Sequence, residues 1–199
     1  MSKSTSWYPP LSVDGSRTGV VSHAGATVLL RAAEKTGLSR HLSTGLTPWR
    51  KPLATHDPGK ILLDLAVAVA VGGDCLADIN QIRADPGVFG PVASDPTVSR
   101  LISTLATEAP AALSAINSAR AAARAQAWTA AGTAAPNHDR DARHPLIIDL
   151  DATLVTAHSD KEHATPNWKK GYGFHPLCAF ADHQSRRHRR TPRNHVAAR

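Results

Sequence analysis

Two aspartates, Asp149 and Asp151, stand two residues apart in the hydrophobic run of residues 146–155. Side chains alternate between the two faces of a strand, so both carboxylates, together with Thr153, would share one face. A carboxylate on a buried strand costs free energy unless a positive group meets it, and a divalent cation is the usual partner. The pattern therefore predicts a metal site that activates a hydroxyl or a water against a phosphodiester. An exposed edge strand, whose aspartates need no partner, fits the pattern equally well.

The elements that must position these aspartates change in character along the chain. Residues 109–131 have an alanine-rich helical pattern, residues 132–144 are polar, and a second apolar run occupies residues 174–181. The change predicts helices followed by an antiparallel pair of strands, and so an α/β protein. The expected segments are a flexible lead-in (1–22), a helical domain that is a candidate for DNA binding (23–131), a linker (132–144), a strand-bearing domain (145–183) and a basic tail (184–199).

Helix boundaries are marked in the N-terminal half. Asp57 and Asp95 each precede a proline, which predicts an N-cap followed by proline at the first helical position. Two glycines at residues 72–73 are expected to end the helix behind Asp57, and Asp74 is expected to cap the next helix.

The formal net charge of +7 is concentrated near residue 199. Six of the 23 lysines and arginines lie in residues 184–199, which contain no acidic residue, and the rest nearly balance the 16 acidic residues. The charge is therefore weak support for nucleic-acid binding by the folded body. The abrupt change to Arg, His and Pro is what translation in the wrong frame would produce, so we expect a frameshifted tail. A genuine basic arm that grips nucleic acid or anionic lipid is the alternative.

Other classes of protein are disfavoured by composition. The N-terminus has no apolar segment typical of a secretory signal, and the apolar run at residues 61–71 is too short to span a bilayer. Two cysteines without paired spacing are typical of a reducing compartment, so we expect a cytoplasmic protein with no membrane partner. A zinc site of His175, Cys178 and His183 is rejected, because alternation places Cys178 on the opposite face.

The helix that begins near Asp95 is a candidate for DNA recognition. Thr97, Ser99 and Arg100 lie in its first turns, as the contacting residues do in the second helix of a helix-turn-helix. An ordinary capped helix in a small bundle fits the same pattern.

A basic turn follows the aspartates and is a second candidate for contact with DNA. Trp168 lies among lysines there, and an aromatic ring beside cations is suited to base stacking and phosphate contact. A solvated loop is the alternative. The lysines are Lys161, Lys169 and Lys170.

Several ordered motifs resemble those of one family. They lie at residues 55–59 (THDPG), 72–78 (GGDCLAD), 89–98 (FGPVASDPTV), 151–155 (DATLV) and 171–177 (GYGFHPL). Together they resemble bacterial insertion-sequence transposases of the IS-four-like superfamily, in the branch known as transposase DDE domain group one. The similarity runs from about Val20 to His183.

This resemblance implies an RNase H-like fold in which three acidic residues hold Mg²⁺ or Mn²⁺ for cleavage and transfer of DNA strands. Asp151 matches the first acidic residue and is the expected catalytic residue and metal ligand, with Asp149 as the second choice for the metal. No residue of the chain matches the second Asp or the Glu. We therefore expect a helical domain joined to a truncated RNase H-like module of two strands.

The resemblance also implies a bacterial, nucleoid-associated protein whose partner is DNA, at the terminal inverted repeats of the element, and it leaves a homodimer open. We expect a transposase fragment that is inactive alone. One alternative is a non-catalytic DNA-binding fragment that represses transposition by occupying the terminal repeats. Another is a poorly folded product, since two strands taken from a larger sheet leave exposed edges.

Overall fold

The structure is a computed structural model that describes residues 7–10, 23–157, 161, 163–168 and 170–182. The chain divides into two compact units, residues 1–130 and 131–199. Helices occupy the described part of the first unit and short strands occupy that of the second, so the predicted α/β class is confirmed. The basic tail and most of the lead-in lie outside the described residues.

Seven α-helices are found in the described part of the chain, joined by short 3-10 turns. They are α1 (Ala26–Lys35), α2 (Leu38–Gly45), α3 (Pro58–Ala70), α4 (Ile79–Arg83), α5 (Pro86–Phe89), α6 (Asp95–Ala106) and α7 (Ala109–Ala131). The 3-10 turns are Thr47–Trp49, Leu76–Asp78 and Gly132–Ala134. None of these helices combines the length and the apolar character that a membrane span needs.

The predicted cap of α3 is confirmed, and that of α6 is shifted by one residue. The Asp57 carboxylate accepts the backbone N–H groups of Gly59 at 2.8 Å and Lys60 at 3.2 Å. At α6 the N-cap is Ser94, and Asp95 is already the first helical residue. A carboxylate in the first turn still favours the helix, because it faces the positive end of the helix dipole.

The helical unit has a continuous hydrophobic core to which all seven helices contribute. The fully buried side chains include Ile79 and Ile82 from α4, Phe89 from α5 and Val98 from α6. Helices as short as α4 and α5 are not stable alone, so burial of these side chains is what holds them in place.

Residues 7–10 pack against the helical unit, whereas the sequence predicted a weakly ordered lead-in. Tyr8 is only 4% exposed, and its hydroxyl donates to Asp64 Oδ1 at 2.9 Å. Lys60 Nζ lies 2.7 Å from Asp64 Oδ2 and 4.6 Å from the centroid of the Tyr8 ring. Burial, aided by the Asp64 carboxylate, raises the pKa of the Tyr8 hydroxyl. The prediction was wrong for these residues because burial of the Tyr8 ring stabilises their packing, although the neighbouring residues are rich in Ser, Pro and Gly.

Five short strands lie in the described part of the second unit. They are β1 (Ile148–Ala152), β2 (Val155–Thr156), β3 (Thr165–Pro166), β4 (Tyr172–Phe174) and β5 (Leu177–Ala181). β1 pairs with β5, and β4 lies between β2 and β3, all antiparallel. The predicted antiparallel pairing of the two apolar runs is therefore present, but each run forms two strands and the predicted count of two was wrong.

The two runs are interrupted opposite each other, at residues 153–154 and 175–176. Pro176 has no N–H to donate to a ladder, and its carbonyl accepts the Thr153 N–H at 3.2 Å. Beyond the interruption, Gly173 of β4 has a φ of +158°, and a Cβ there would overlap the Val155 carbonyl oxygen. The hydrophobic pattern continues through both features, so it could not reveal the change of pairing.

β1 is exposed at every position, and the prediction of a buried strand was wrong. Leu150 is 67% exposed and Leu177 on β5 is 70% exposed. Burying a sheet face requires a further layer, and no described element packs over these two side chains. The exposed-strand alternative therefore describes the surroundings of the two aspartates.

Candidate functional site

Asp149 and Asp151 lie on β1 opposite residues of β5. The register places Asp149 across from Phe180, and Asp151 across from Cys178. Directly opposed residues share a face, so both carboxylates lie on the face that also carries Phe180 and Cys178. The predicted juxtaposition of the two aspartates on one strand is present, and both are exposed to solvent.

A third carboxylate on this face was missed by the sequence analysis. The Asp182 N–H donates to the Ile147 carbonyl at 3.0 Å, which extends the β1–β5 ladder by one residue. Alternation from Phe180 then places Asp182 on the same face as Asp149. The signal was present in the spacing of residues 178, 180 and 182, but it has meaning only once the antiparallel register is known.

The donor chemistry of Asp149 and Asp151 fits a hard divalent cation. Mg²⁺ prefers carboxylate oxygen and is usually held by one or two carboxylates together with substrate phosphates. Two exposed carboxylates on one face can provide that part of a site. Among the described residues no third ligand joins them, since three ligand atoms from His, Cys, Asp or Glu come within 4.8 Å of one another only at Asp74, Cys75 and Asp78.

The group of Asp74, Cys75 and Asp78 forms the cap at the start of the 3-10 turn Leu76–Asp78. Asp78 accepts the backbone N–H groups of Asp74 at 2.9 Å and Cys75 at 3.0 Å, and these bonds lower the pKa of Asp78 to about 2. The prediction that Asp74 caps this helix was wrong, because its backbone is the donor and Asp78 is the acceptor. Backbone hydrogen bonding accounts for the position of the Asp78 carboxylate without a metal.

The predicted DNA-contacting residues of α6 do not all share one environment. Arg100 Nη2 donates to Thr97 Oγ1 at 3.0 Å, so these two side chains form one polar pair. Both line a cleft of about 110 Å³, whereas Ser99 is exposed and does not line it. The helix is present as predicted, and its contact with DNA remains a prediction.

Three residues that the sequence analysis did not single out line this cleft from another segment: Trp49, Lys51 and His56. They come from the segment between α2 and α3, which has no hydrophobic periodicity to predict its path. Burial, with the nearby cations Lys60 and Arg83, lowers the pKa of His56, so its imidazole is neutral at neutral pH. The available signal was an aromatic residue beside consecutive cations at residues 49–51.

Trp49 has an unusual environment within the cleft. Its ring packs against a small hydrophobic cluster that contains Leu46, Leu105 of α6 and Ala112 of α7. Its indole Nε1 is buried and has no hydrogen-bond acceptor among the residues that the structure describes. A buried donor without a partner is rare in folded proteins and costs free energy.

The basic turn of the second unit is only partly described. Lys170 lies in the tight turn between β3 and β4, where its N–H donates to the Asn167 carbonyl at 3.1 Å. Its φ is +61°, and Trp168 in the same turn is 87% exposed. Lys161 is exposed in the preceding segment, and Lys169 lies outside the described residues.

The sequence of the whole chain decides the family. The family model described as transposase DDE domain group 1 matches residues 5–193. The chain belongs to this family. The match confirms the resemblance to transposase DDE domain group one, and it extends beyond the expected limits of about residues 20 and 183. No curated protein and no solved structure gave a match to the chain.

Membership of this family supports a function in DNA transposition. DDE transposases generally bind DNA and use divalent metal ions. The carboxylates of β1 and the cationic cleft of the helical unit are the described features whose chemistry suits those two requirements.

Proposed function

We propose that this chain serves metal-dependent DNA cleavage and strand transfer in the transposition of an insertion sequence of the IS-four-like type. Asp151 would be the catalytic metal ligand, and Asp149 would assist it from the same face of β1. The observation that supports this assignment is the pairing of a family match over residues 5–193 with two exposed carboxylates on one strand. A divalent metal supplies Lewis acidity to the scissile phosphodiester and activates the attacking hydroxyl.

The residues of this chain would bind and orient the DNA. Both carboxylates are open to solvent, so a phosphate held beside them could complete the coordination of Mg²⁺ or Mn²⁺. Thr97, Ser99 and Arg100 on α6 would contact the terminal inverted repeats. In the second unit, Lys161, Lys169 and Lys170 would make further phosphate contacts, which specify no sequence but fix position.

We also propose that the 199-residue chain does not cleave DNA alone. The supporting observation is that no third described ligand comes within metal-binding distance together with Asp149 and Asp151. A DDE site needs three acidic residues, and two carboxylates leave the cation weakly held.

An assay with duplex DNA that carries the terminal repeats, in Mg²⁺ or Mn²⁺, tests this statement. The expected result is no cleavage above background by the wild-type chain or by Asp151→Ala. Cleavage by the wild type that Asp151→Ala abolishes would show that the chain is active as it stands, and would at the same time support Asp151 as the catalytic residue.

A non-catalytic role is the second candidate. The helical unit contains a continuous core and a cleft lined by Lys51 and Arg100, whereas β1 is exposed at every position, and this contrast favours DNA binding over chemistry. Such a chain would repress transposition by occupying the terminal repeats. A mobility-shift titration against repeat and scrambled duplexes, over a range of salt concentrations, would separate specific occupation from phosphate-dominated binding. Equal affinity for both duplexes would contradict the repressor role.

A further inference from the structure

The cleft of the helical unit has a composition that neither the family match nor the α6 prediction explains. We propose that it is a binding site for a single phosphate of the DNA backbone, with Lys51, Arg100 and the Trp49 indole as donors. The inference rests on the proposed function in one respect, which is that DNA is the partner. It assigns a binding role to Trp49 and Lys51, to which the sequence gave none.

The charge of the cleft favours an anion. Lys51 and Arg100 line it together with the neutral His56, and no carboxylate is found among its described lining residues. Charge-assisted hydrogen bonds from such cations to phosphate oxygens are short and strong. A phosphate in this cleft would meet positive charge with no competing acid on the described walls.

Two other cations of the helical unit differ from Arg100 because each is paired with a carboxylate. Arg50 Nη1 lies 3.3 Å from Asp57 Oδ2, and Lys60 Nζ lies 2.7 Å from Asp64 Oδ2. In contrast, Arg100 donates to the neutral Thr97 hydroxyl, which orients the guanidinium without neutralising it. Arg100 is therefore not paired with a carboxylate among the described residues, and its orientation is already set.

The Trp49 indole supplies the second observation that points to a ligand. Its Nε1 has no acceptor among the described residues, and Trp49 lines a cleft whose lining also includes Lys51 and Arg100. A cleft of about 110 Å³ exceeds the space that one water molecule needs. A small displacement of the ring would let a phosphate oxygen accept this N–H and relieve the cost of leaving it unpaired.

The experiment measures the affinity of the full chain for a fluorescent duplex by anisotropy, in EDTA, across a series of salt concentrations. The variants are Lys51→Gln, Arg100→Gln, their combination, and Trp49→Phe. The control is Arg124→Gln, which removes the same charge from an exposed position on α7 outside the cleft. Thermal unfolding of each variant checks that the fold is retained.

The proposal predicts that each single charge variant binds the duplex more weakly than Arg124→Gln does, and that the slope of log affinity against log salt falls by about 0.9 only in the combination. This follows because both cations contact the same phosphate. Trp49→Phe should weaken binding by up to about tenfold, the value of one hydrogen bond, and leave the slope unchanged.

Three results would overturn the proposal. The first is that Lys51→Gln and Arg100→Gln behave as Arg124→Gln does. The second is a combined loss of slope of about 1.8, which would mean that the two cations contact separate phosphates. The third is wild-type affinity for DNA in Trp49→Phe.

Competition with inorganic phosphate tests whether the cleft binds a phosphate of the DNA backbone or the free phosphate ion. At constant ionic strength it should compete with the duplex for the wild type and not for the combined variant. Binding of free phosphate by a cleft whose variants keep wild-type DNA affinity would assign the cleft to the ion and overturn the proposal. Because these measurements contain no metal, a chain that binds DNA through the cleft but fails every test of metal chemistry retains this inference and loses the proposed function.

Discussion

Single side chains in this molecule make contacts whose partners lie at very different distances along the sequence. Asp57 caps the helix that begins at the next residue, and an Asp-Pro pair is enough to predict that role. Tyr8 donates to Asp64 across 56 positions of sequence, and no local pattern announces such a contact. The contacts of the two β1 aspartates are only partly predictable from local sequence. Alternation predicts that they share a face, whereas the register with β5 decides which residues lie opposite them.

The Asp78 cap makes the stability of the fold depend on pH through a single carboxyl group. Its pKa is about 2 in the folded chain against 3.8 for the ordinary group, so its stabilising contribution is present above pH 3.8 and is lost as the pH falls through 2. We expect Asp78→Asn, which keeps an acceptor and removes the charge, to be less stable than the wild type above pH 4 and to approach it near pH 2. Urea unfolding of both proteins from pH 2 to 6 measures this difference. A difference that stays constant over the whole range would contradict the assignment.

At the scale of elements, the helices were easier to predict than the strands. α3 and α6 begin at Asp-Pro pairs and α7 has an alanine-rich pattern, whereas α2 has only eight residues and gave no clear signal. The strands were predicted as two continuous runs, yet Pro176 and the close approach at Gly173 divide them. Strand pairing depends on contacts between residues far apart in sequence, and hydrophobic alternation alone does not contain that information.

The packing of α2 against α3 depends on Gly59. A Cβ at this position would lie 2.5 Å from the Ser43 amide nitrogen, which is backbone and cannot move aside cheaply. We therefore expect Gly59→Ala to destabilise the chain by about 1–3 kcal/mol, as overpacking usually does, although alanine favours a helix. Chemical denaturation of the full chain measures the change.

Gly87 is the matched control for that substitution. It lies in α5, and a Cβ there would meet nothing within 4 Å. Gly87→Ala should leave stability unchanged or raise it by up to about 1 kcal/mol, since it only reduces the freedom of the unfolded chain. Equal effects of the two substitutions would mean that the α2–α3 contact is not as close as described.

For the whole molecule, the sequence predicted the family, the α/β class and a helical half followed by strands. It did not predict that residues 7–10 pack on the helical unit, or that Trp49, Lys51 and His56 line one cleft with Thr97 and Arg100. These features join segments that have no common periodicity, so only the folded arrangement brings them together. The family itself was accessible because its motifs are local and occur in a fixed order.

The central claim is that Asp151 is a metal ligand in a protein that acts on DNA. Its most direct test is to measure Mn²⁺ binding by the full chain with electron paramagnetic resonance, in the presence and in the absence of duplex DNA. The wild type should bind Mn²⁺ weakly and more tightly with DNA, because phosphates complete the coordination. Asp151→Asn should lose this binding, whereas Asp139→Asn, at an exposed carboxylate with a φ of +52°, should not. Unchanged Mn²⁺ binding by Asp151→Asn, with or without DNA, would contradict the claim.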